Sequence, residues 1–223
     1  MATRPELPDG LLGALPKFSE LKLKTDSHRQ SEFQVAANNV CIRIKTAIPV
    51  KVGTKLTQCD GEKVLPDYVL TQRPDETYVC FHLGFPSSGW YTFTIFALRE
   101  TDPSESMPNV YTYLIDAVVP KPARTYPKVY TKFYTDYCVL EQPMVLNAQQ
   151  KHLDQVKFDL LVPGANKVAV HVGDEWFKLT KIGDNWQDTL DLHEYNQPKA
   201  KVQVMATYDE EGINYKGLLE YVL

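Results

Sequence analysis

Basic residues are in the minority here: 24 Lys and Arg stand against 28 Asp and Glu, a net charge of −4, with a pI near 5.8. No cationic cluster is denser than the one from Lys121 to Lys128. A chain with no basic field has no means of collecting phosphates, so nucleic acid is not an expected partner. Long apolar runs are missing as well. The opening Met-Ala-Thr-Arg-Pro-Glu-Leu-Pro-Asp-Gly has no hydrophobic core of a secretory leader, and no stretch reaches the length of a membrane span. The expectation is a soluble intracellular protein, or a fragment of one, with no membrane partner. Helical periodicity is scarce too, its nearest approach being the window 144–153.

Chemistry-bearing motifs are also wanting. Neither half contains a zinc signature, a glycine-rich phosphate loop or a nucleophile elbow. No catalytic residue, cofactor or metal ligand is expected. Cysteine is limited to Cys41, Cys59, Cys80 and Cys138. None falls in Tyr91–Leu98 or Ala200–Thr207, the strands from which a bridge between two sheets would draw its second sulfur, so free thiols in a reducing compartment are expected. Cys80 and His82 share one strand face, two residues apart, but lack a third group to orient the imidazole, so they are read as a thiol and an imidazole on the more exposed face of a sheet. Asp174-Glu175 and Asp209-Glu-Glu-Gly212 are acidic turns without the alternating donor spacing of a calcium loop. His28, His152, His171 and His193 are scattered singly. Trp90, Trp176 and Trp186 open or flank strands, where an aromatic usually caps a core and less often serves as an exposed anchor.

What the chain does contain is alternation, written twice. In Val40-Cys-Ile-Arg-Ile-Lys-Thr-Ala-Ile-Pro49, Ile42, Ile44 and Ile48 alternate with charged residues. Asp154-Gln-Val-Lys-Phe-Asp-Leu-Leu-Val-Pro163 answers with Val156, Phe158 and Val162. A period of two marks a half-buried strand. Two further segments return in the same order, Tyr91–Leu98 as Ala200–Thr207 and Tyr111–Val118 as Tyr215–Val222. A repeat of roughly a hundred residues is a domain rather than a solenoid unit.

Short strands separated by turn signals then predict an all-β chain of two tandem, immunoglobulin-like antiparallel β-sandwich domains. Residues 1–16 read as a linker or the tail of a preceding segment, 17–119 as the first sandwich, 120–127 as a proline-rich hinge and 128–223 as the second sandwich. The first sandwich is expected to open on a strand at Phe18-Ser-Glu-Leu-Lys-Leu-Lys, the second on one at Val129-Tyr-Thr-Lys-Phe. Val50-Lys-Val-Gly and Lys55-Leu-Thr read as separate strands, and Trp176-Phe-Lys-Leu-Thr-Lys-Ile as one arm of a hairpin turning at Gly183-Asp-Asn into Trp186.

Several of these residues resemble a known family. Leu161-Val-Pro-Gly-Ala, Trp176 with Leu179, Gly183 to Trp186 and Tyr215-Lys-Gly-Leu-Leu-Glu-Tyr carry the likeness in the second half. Tyr68-Val-Leu-Thr-Gln and Phe85-Pro-Ser-Ser-Gly-Trp-Tyr-Thr-Phe-Thr-Ile-Phe-Ala97 carry it in the first. They are similar to the immunoglobulin-like repeats that follow the transglutaminase-like core in the kyphoscoliosis peptidase and hillarin family. The resemblance implies a cytoplasmic, cytoskeleton-associated protein with filamin-type or actin-associated protein partners. The family's Cys, His, Asp unit has no counterpart here, so no catalytic residue is carried over. The expected function is a non-catalytic protein–protein interaction or scaffold module, with partners adding a strand at an exposed sheet edge or docking on an aromatic patch at Tyr130, Phe133, Tyr134 and Tyr137. The alternatives are accessory domains that position substrate or partner for a transglutaminase-like peptidase and, from the sandwiches alone, an extracellular adhesion module.

Overall fold

The computed structural model describes residues 3–7, 10–148 and 152–223. The chain divides into two compact units: 1–69 with 75–124, and 70–74 with 125–223.

In the first unit the elements are β1 (Gly13–Ala14), α1 (Pro16–Glu20), β2 (Leu23–Thr25), β3 (Glu32–Val35), β4 (Asn39–Thr46) and β5 (Val50–Gln58). They continue as β6 (Lys63–Val64), β7 (Val69–Asp75), β8 (Tyr78–Gly84), β9 (Gly89–Arg99) and β10 (Asn109–Ala117). The middle of β7, Leu70–Pro74, groups with the second unit. One sheet has the order β1, β10, β9, β5, β6. In the other, β4 pairs antiparallel with β2 and with β8. β3 adds itself parallel to β10 along Leu114–Ala117.

Alternation explains the layering. In β4 the side chains of Ile42, Ile44 and Thr46 go inward while Cys41, Arg43 and Lys45 face out. Phe81 of β8 meets Phe93 of β9 at 5.5 Å between ring centroids, tying one sheet to the other. Edge-to-face rings of this kind add to the burial term.

The second unit repeats this plan. Its elements are β11 (Lys128–Val129), α2 (Thr131–Thr135), β12 (Val139–Gln142), β13 (Val156–Leu161) and β14 (Lys167–Val172). Then come β15 (Glu175–Lys178), β16 (Thr180–Ile182), β17 (Asn185–Leu190), β18 (Lys201–Thr207) and β19 (Lys216–Val222). The sheets run β11, β19, β18, β14, β15 and β12, β13, β17, β16. Strand for strand, β10, β9, β5 answer β19, β18, β14, and β2, β4, β8 answer β12, β13, β17. Phe158 of β13 and Tyr221 of β19 meet at 6.4 Å across the core.

Five stretches differ from the sequence expectation. Phe18 and Phe133 do not open strands; each is the buried residue of a five-residue helix. Both helices end in a turn with a left-handed residue, Lys22 at φ 55° and Tyr137 at φ 58°. A helix this short shows no 3.6 period, so alternation alone does not reveal it. The stretch read as a linker contributes Gly13–Ala14, paired with Tyr111 and Thr112 of β10. Val50–Gln58 is one strand, paired with β9 over its whole length. The hairpin arm at Trp176 is broken at Leu179, where the chain leaves one sheet for the other: β15 pairs with β14, and β16 with β17. Of the window 144–153, residues 149–151 lie outside the described residues, and Leu153 begins a single 3-10 turn.

Candidate functional site

Two places carry side chains whose chemistry exceeds what folding requires. The first lies on the outer face of β4 and β8 in the first unit. Register places Cys41 opposite His82 and Arg43 opposite Cys80. The Cys41 sulfur is 4.0 Å from His82 Nε2. The Cys80 thiol lies within hydrogen-bonding reach of Cys41, and that bond, followed by His82 and the charge of Arg43, lowers the Cys41 thiol well below the ordinary thiol range against the effect of partial burial. The same bond, together with burial and the facing Cys41 charge, raises Cys80. Cys41 is exposed and Cys80 buried.

The surroundings hold the group in place. Arg43 Nη2 reaches Asp26 Oδ2 at 2.9 Å, and Lys45 Nζ reaches Asp26 Oδ1 at 3.2 Å. The backbone N–H of Arg43 donates to Ser27 Oγ at 2.9 Å, and that hydroxyl is also 2.9 Å from His28 Nδ1. Cys80 and His82 thus share a face as the sequence implied, but Cys80 is buried and His82 stands opposite Cys41 on the neighbouring strand. That member was missed because cross-strand register decides it. Cys41, alternating with Arg43 and Lys45, was the available signal.

The second place is on the second unit. His171 of β14 stands opposite Trp176 of β15. Their ring centroids are 4.4 Å apart, and Trp176 lies 4.7 Å from Tyr215. Trp176 is 44% exposed and Ile213, two residues before Tyr215, 65%. The loop carrying Ile213 is fixed by Asp209, whose carboxylate accepts the N–H groups of Gly212, Ile213 and Asn214. Burial pulls this carboxyl up, but the three backbone donors outweigh it and hold it low. Glycine suits position 212 because its φ is 65°, a left-handed conformation that side-chain-bearing residues rarely adopt.

The remaining sequence candidates are placed otherwise. Phe133 is fully buried, and Tyr134 and Tyr137 lie 5.6 and 4.6 Å from Arg73, in the stretch that groups with this unit. Tyr130 packs on Gly217 and donates to Glu220. Of the expected aromatic patch, Phe133 is therefore buried, while Tyr130, Tyr134 and Tyr137 are half-buried. Trp186 is 7% exposed, whereas Trp176 is the anchor-like tryptophan. Asp209 organises its own turn, and Asp174 and Glu175 are exposed beside Gly173. Among the described residues no group of three or more His, Cys, Asp or Glu is placed to hold a metal ion, and no helix is long and apolar enough to cross a membrane. His28 packs on Phe33 at 4.7 Å, while His152 and His193 are exposed.

Comparison with known proteins adds the following. Among solved structures, the titin domains z1z2 in complex with telethonin are 12% identical, covering 90% of this chain and 95% of that chain with a TM-score of 0.25. A marsupial T cell receptor is 12% identical over 90% of this chain and 98% of that one, with a TM-score of 0.27. Dpr11 IG1 bound to DIP-gamma is 13% identical over 84% and 92%, with a TM-score of 0.25. No curated protein matches the chain. A family model described as "KY-like, immunoglobulin-like domain" matches residues 6–128. That match spans more than half of the 223 residues, and the chain belongs to the KY-like, immunoglobulin-like domain family.

Proposed function

We propose that the chain is a non-catalytic protein–protein interaction module, a spacer or docking arm in a cytoplasmic, cytoskeletal assembly. The observation that carries this reading is the exposed Trp176, flanked by His171 and Tyr215, on β15 at the end of its sheet order. A half-exposed tryptophan on an edge strand offers a partner both an apolar anchor and unpaired backbone groups to which it can add a strand. The rigid loop set by Asp209 presents Ile213 without an ordering cost at the moment of binding. The partner class, a filamin-type or actin-associated protein, follows from the family resemblance.

The test uses the whole chain and a Trp176→Ala, Tyr215→Ala double variant as baits against purified filamin and actin filaments. Wild type is expected to bind one of them, and the variant to lose at least about tenfold in affinity, the scale of a single hot-spot residue. Trp176→Ala alone is expected to change folding stability by no more than about 0.5 kcal/mol in urea denaturation, as for an exposed residue. Absence of any binding by wild type, or unchanged binding by the variant, overturns the reading. A second reading, accessory domains for a transglutaminase-like peptidase, is favoured by the family match. It predicts a lower KM of such a peptidase for a protein substrate when this chain is added.

A further inference from the structure

The outer face of β4 and β8 holds two thiols of opposite character side by side. Cys41 is exposed and faces His82; Cys80 is buried and faces Arg43. Neither Cys59 nor Cys138 has such company, and burial raises both thiols, Cys138 to about 12. We propose that Cys41 and Cys80 form a peroxide-responsive dithiol, in which Cys41 is oxidised first and Cys80 resolves it into an intramolecular disulfide.

The steps balance with a hydroperoxide as oxidant. The Cys41 thiolate attacks one peroxide oxygen and a sulfur–oxygen bond forms. The O–O bond breaks, and the departing hydroxide or alkoxide takes a proton from water. Cys41 is then a sulfenic acid. The Cys80 sulfur next attacks the Cys41 sulfur, the S–O bond breaks, and water leaves with the Cys80 proton. Two electrons have passed from the thiol pair to the peroxide. His82 is a positioning residue, its Nε2 directed at the Cys41 sulfur from 4.0 Å. An exposed thiolate in an electropositive setting beside a resolving sulfur is the arrangement that redox-sensing cysteines share. The two cysteines are diagonal across the strand pair, a spacing longer than a relaxed disulfide spans, so closing the bond requires the strands to shift locally and the bond is expected to reduce readily.

The charged and titratable groups around the pair are His82 and Asp75 on the β8 side, Arg43 on β4, and His28 from the turn after β2. Together they predict that Cys41 remains alkylatable at pH 6.5, where an ordinary thiol has become slow.

The experiment treats the whole chain with one equivalent of hydrogen peroxide at pH 7, then unfolds it in denaturant with iodoacetamide to block the remaining thiols, buried ones included, and maps the peptides without reduction. The expected product is a Cys41–Cys80 linked peptide, with Cys59 and Cys138 alkylated. Cys80→Ser is expected to leave a Cys41 sulfenic acid that dimedone traps, and Cys41→Ser to abolish the link. His82→Gln is expected to move the fall-off of Cys41 alkylation to higher pH, read from an alkylation–pH profile, because the thiolate loses one of its stabilising neighbours. Wild-type protein in which Cys41 and Cys80 are both alkylated after peroxide, or in which Cys59 or Cys138 is oxidised first, overturns the proposal. So does oxidation that yields only links between chains. The mapping is done on wild type, so it decides between these outcomes even where a variant fails to fold.

Discussion

Glu220 shows how a carboxylate is kept charged inside a sheet. It is 7% exposed. It accepts from Gln203 Nε2 at 2.9 Å and Tyr130 Oη at 3.1 Å, and it pairs with Lys201 Nζ at 3.2 Å. Burial pushes its pKa up, but the bonds from Gln203, Lys201 and Tyr130 outweigh that and hold it below the usual carboxylate value. The folded state thus binds its proton less tightly than the unfolded chain. Its stabilisation is present above about pH 4.3, the unfolded value, and is lost as pH falls through the lower folded pKa. Glu220→Ala is expected to cost about 1–3 kcal/mol at neutral pH, because Gln203, Tyr130 and Lys201 lose their acceptor. In urea denaturation repeated at decreasing pH, the gap between wild type and variant is expected to narrow below about pH 4. A gap independent of pH would mean that the charge contributes nothing. The residue was legible only as the partner of Asp116 in the repeat. Its three contacts come from Lys201 and Gln203 on β18 and from Tyr130, the residue before α2, and no spacing in the sequence announces them.

The two short helices raise the same question for elements. α1 and α2 each bury one phenylalanine, and Phe133 is 0% exposed. A five-residue helix is too short to show a 3.6 period, so Phe18 and Phe133 look like the next beats of the flanking strand alternation. Two signs were available: Pro16 at the first helical position, and the pair Lys17-Phe18 returning as Lys132-Phe133. Phe133→Ala is expected to destabilise by about 3–5 kcal/mol, the range for emptying a buried aromatic site. A urea midpoint close to wild type would show that the helix is ornamental. By contrast, the strands carrying Ile42, Phe158, Phe93 and Val204 were legible from alternation alone, since each has one wet face and one dry. The break at Leu179 was not, because a strand changing sheets keeps its apolar beat while its hydrogen-bonding partner changes.

At the scale of the molecule, the repeat is the principal fact. Two sets of strands with the same order each enclose their own core: Phe81, Phe93 and Tyr113 in the first unit, and Phe158, Val204 and Tyr221 in the second. Phe93→Ala and Phe158→Ala share no packing partner among these residues. Their destabilisations are therefore expected to add within about 0.5 kcal/mol in the double variant, as measured by chemical denaturation. A larger discrepancy would indicate a common cooperative unit. The candidate site was legible only in pieces. Cys80 with His82 could be read from one strand, but Cys41 joins them through a pairing across 41 positions of sequence, and Trp176 could not be told from Trp186 until burial separated them.

The copies are not equivalent at one rim. β10 is covered on its outer side by β1 at Tyr111 and Thr112 and by β3 from Leu114 to Ala117. Among the described residues, β19 has at that rim the pairings of Lys128 with Glu220 and Val129 with Leu219, and the bond from Tyr130 N–H to the Leu218 carbonyl. Accretion of further strands, whether by a neighbouring copy in a concentrated solution or by a growing fibril, therefore has a sealed border in the first copy and a partly open one in the second. Val222, more than half exposed on β19, lies where such growth would begin.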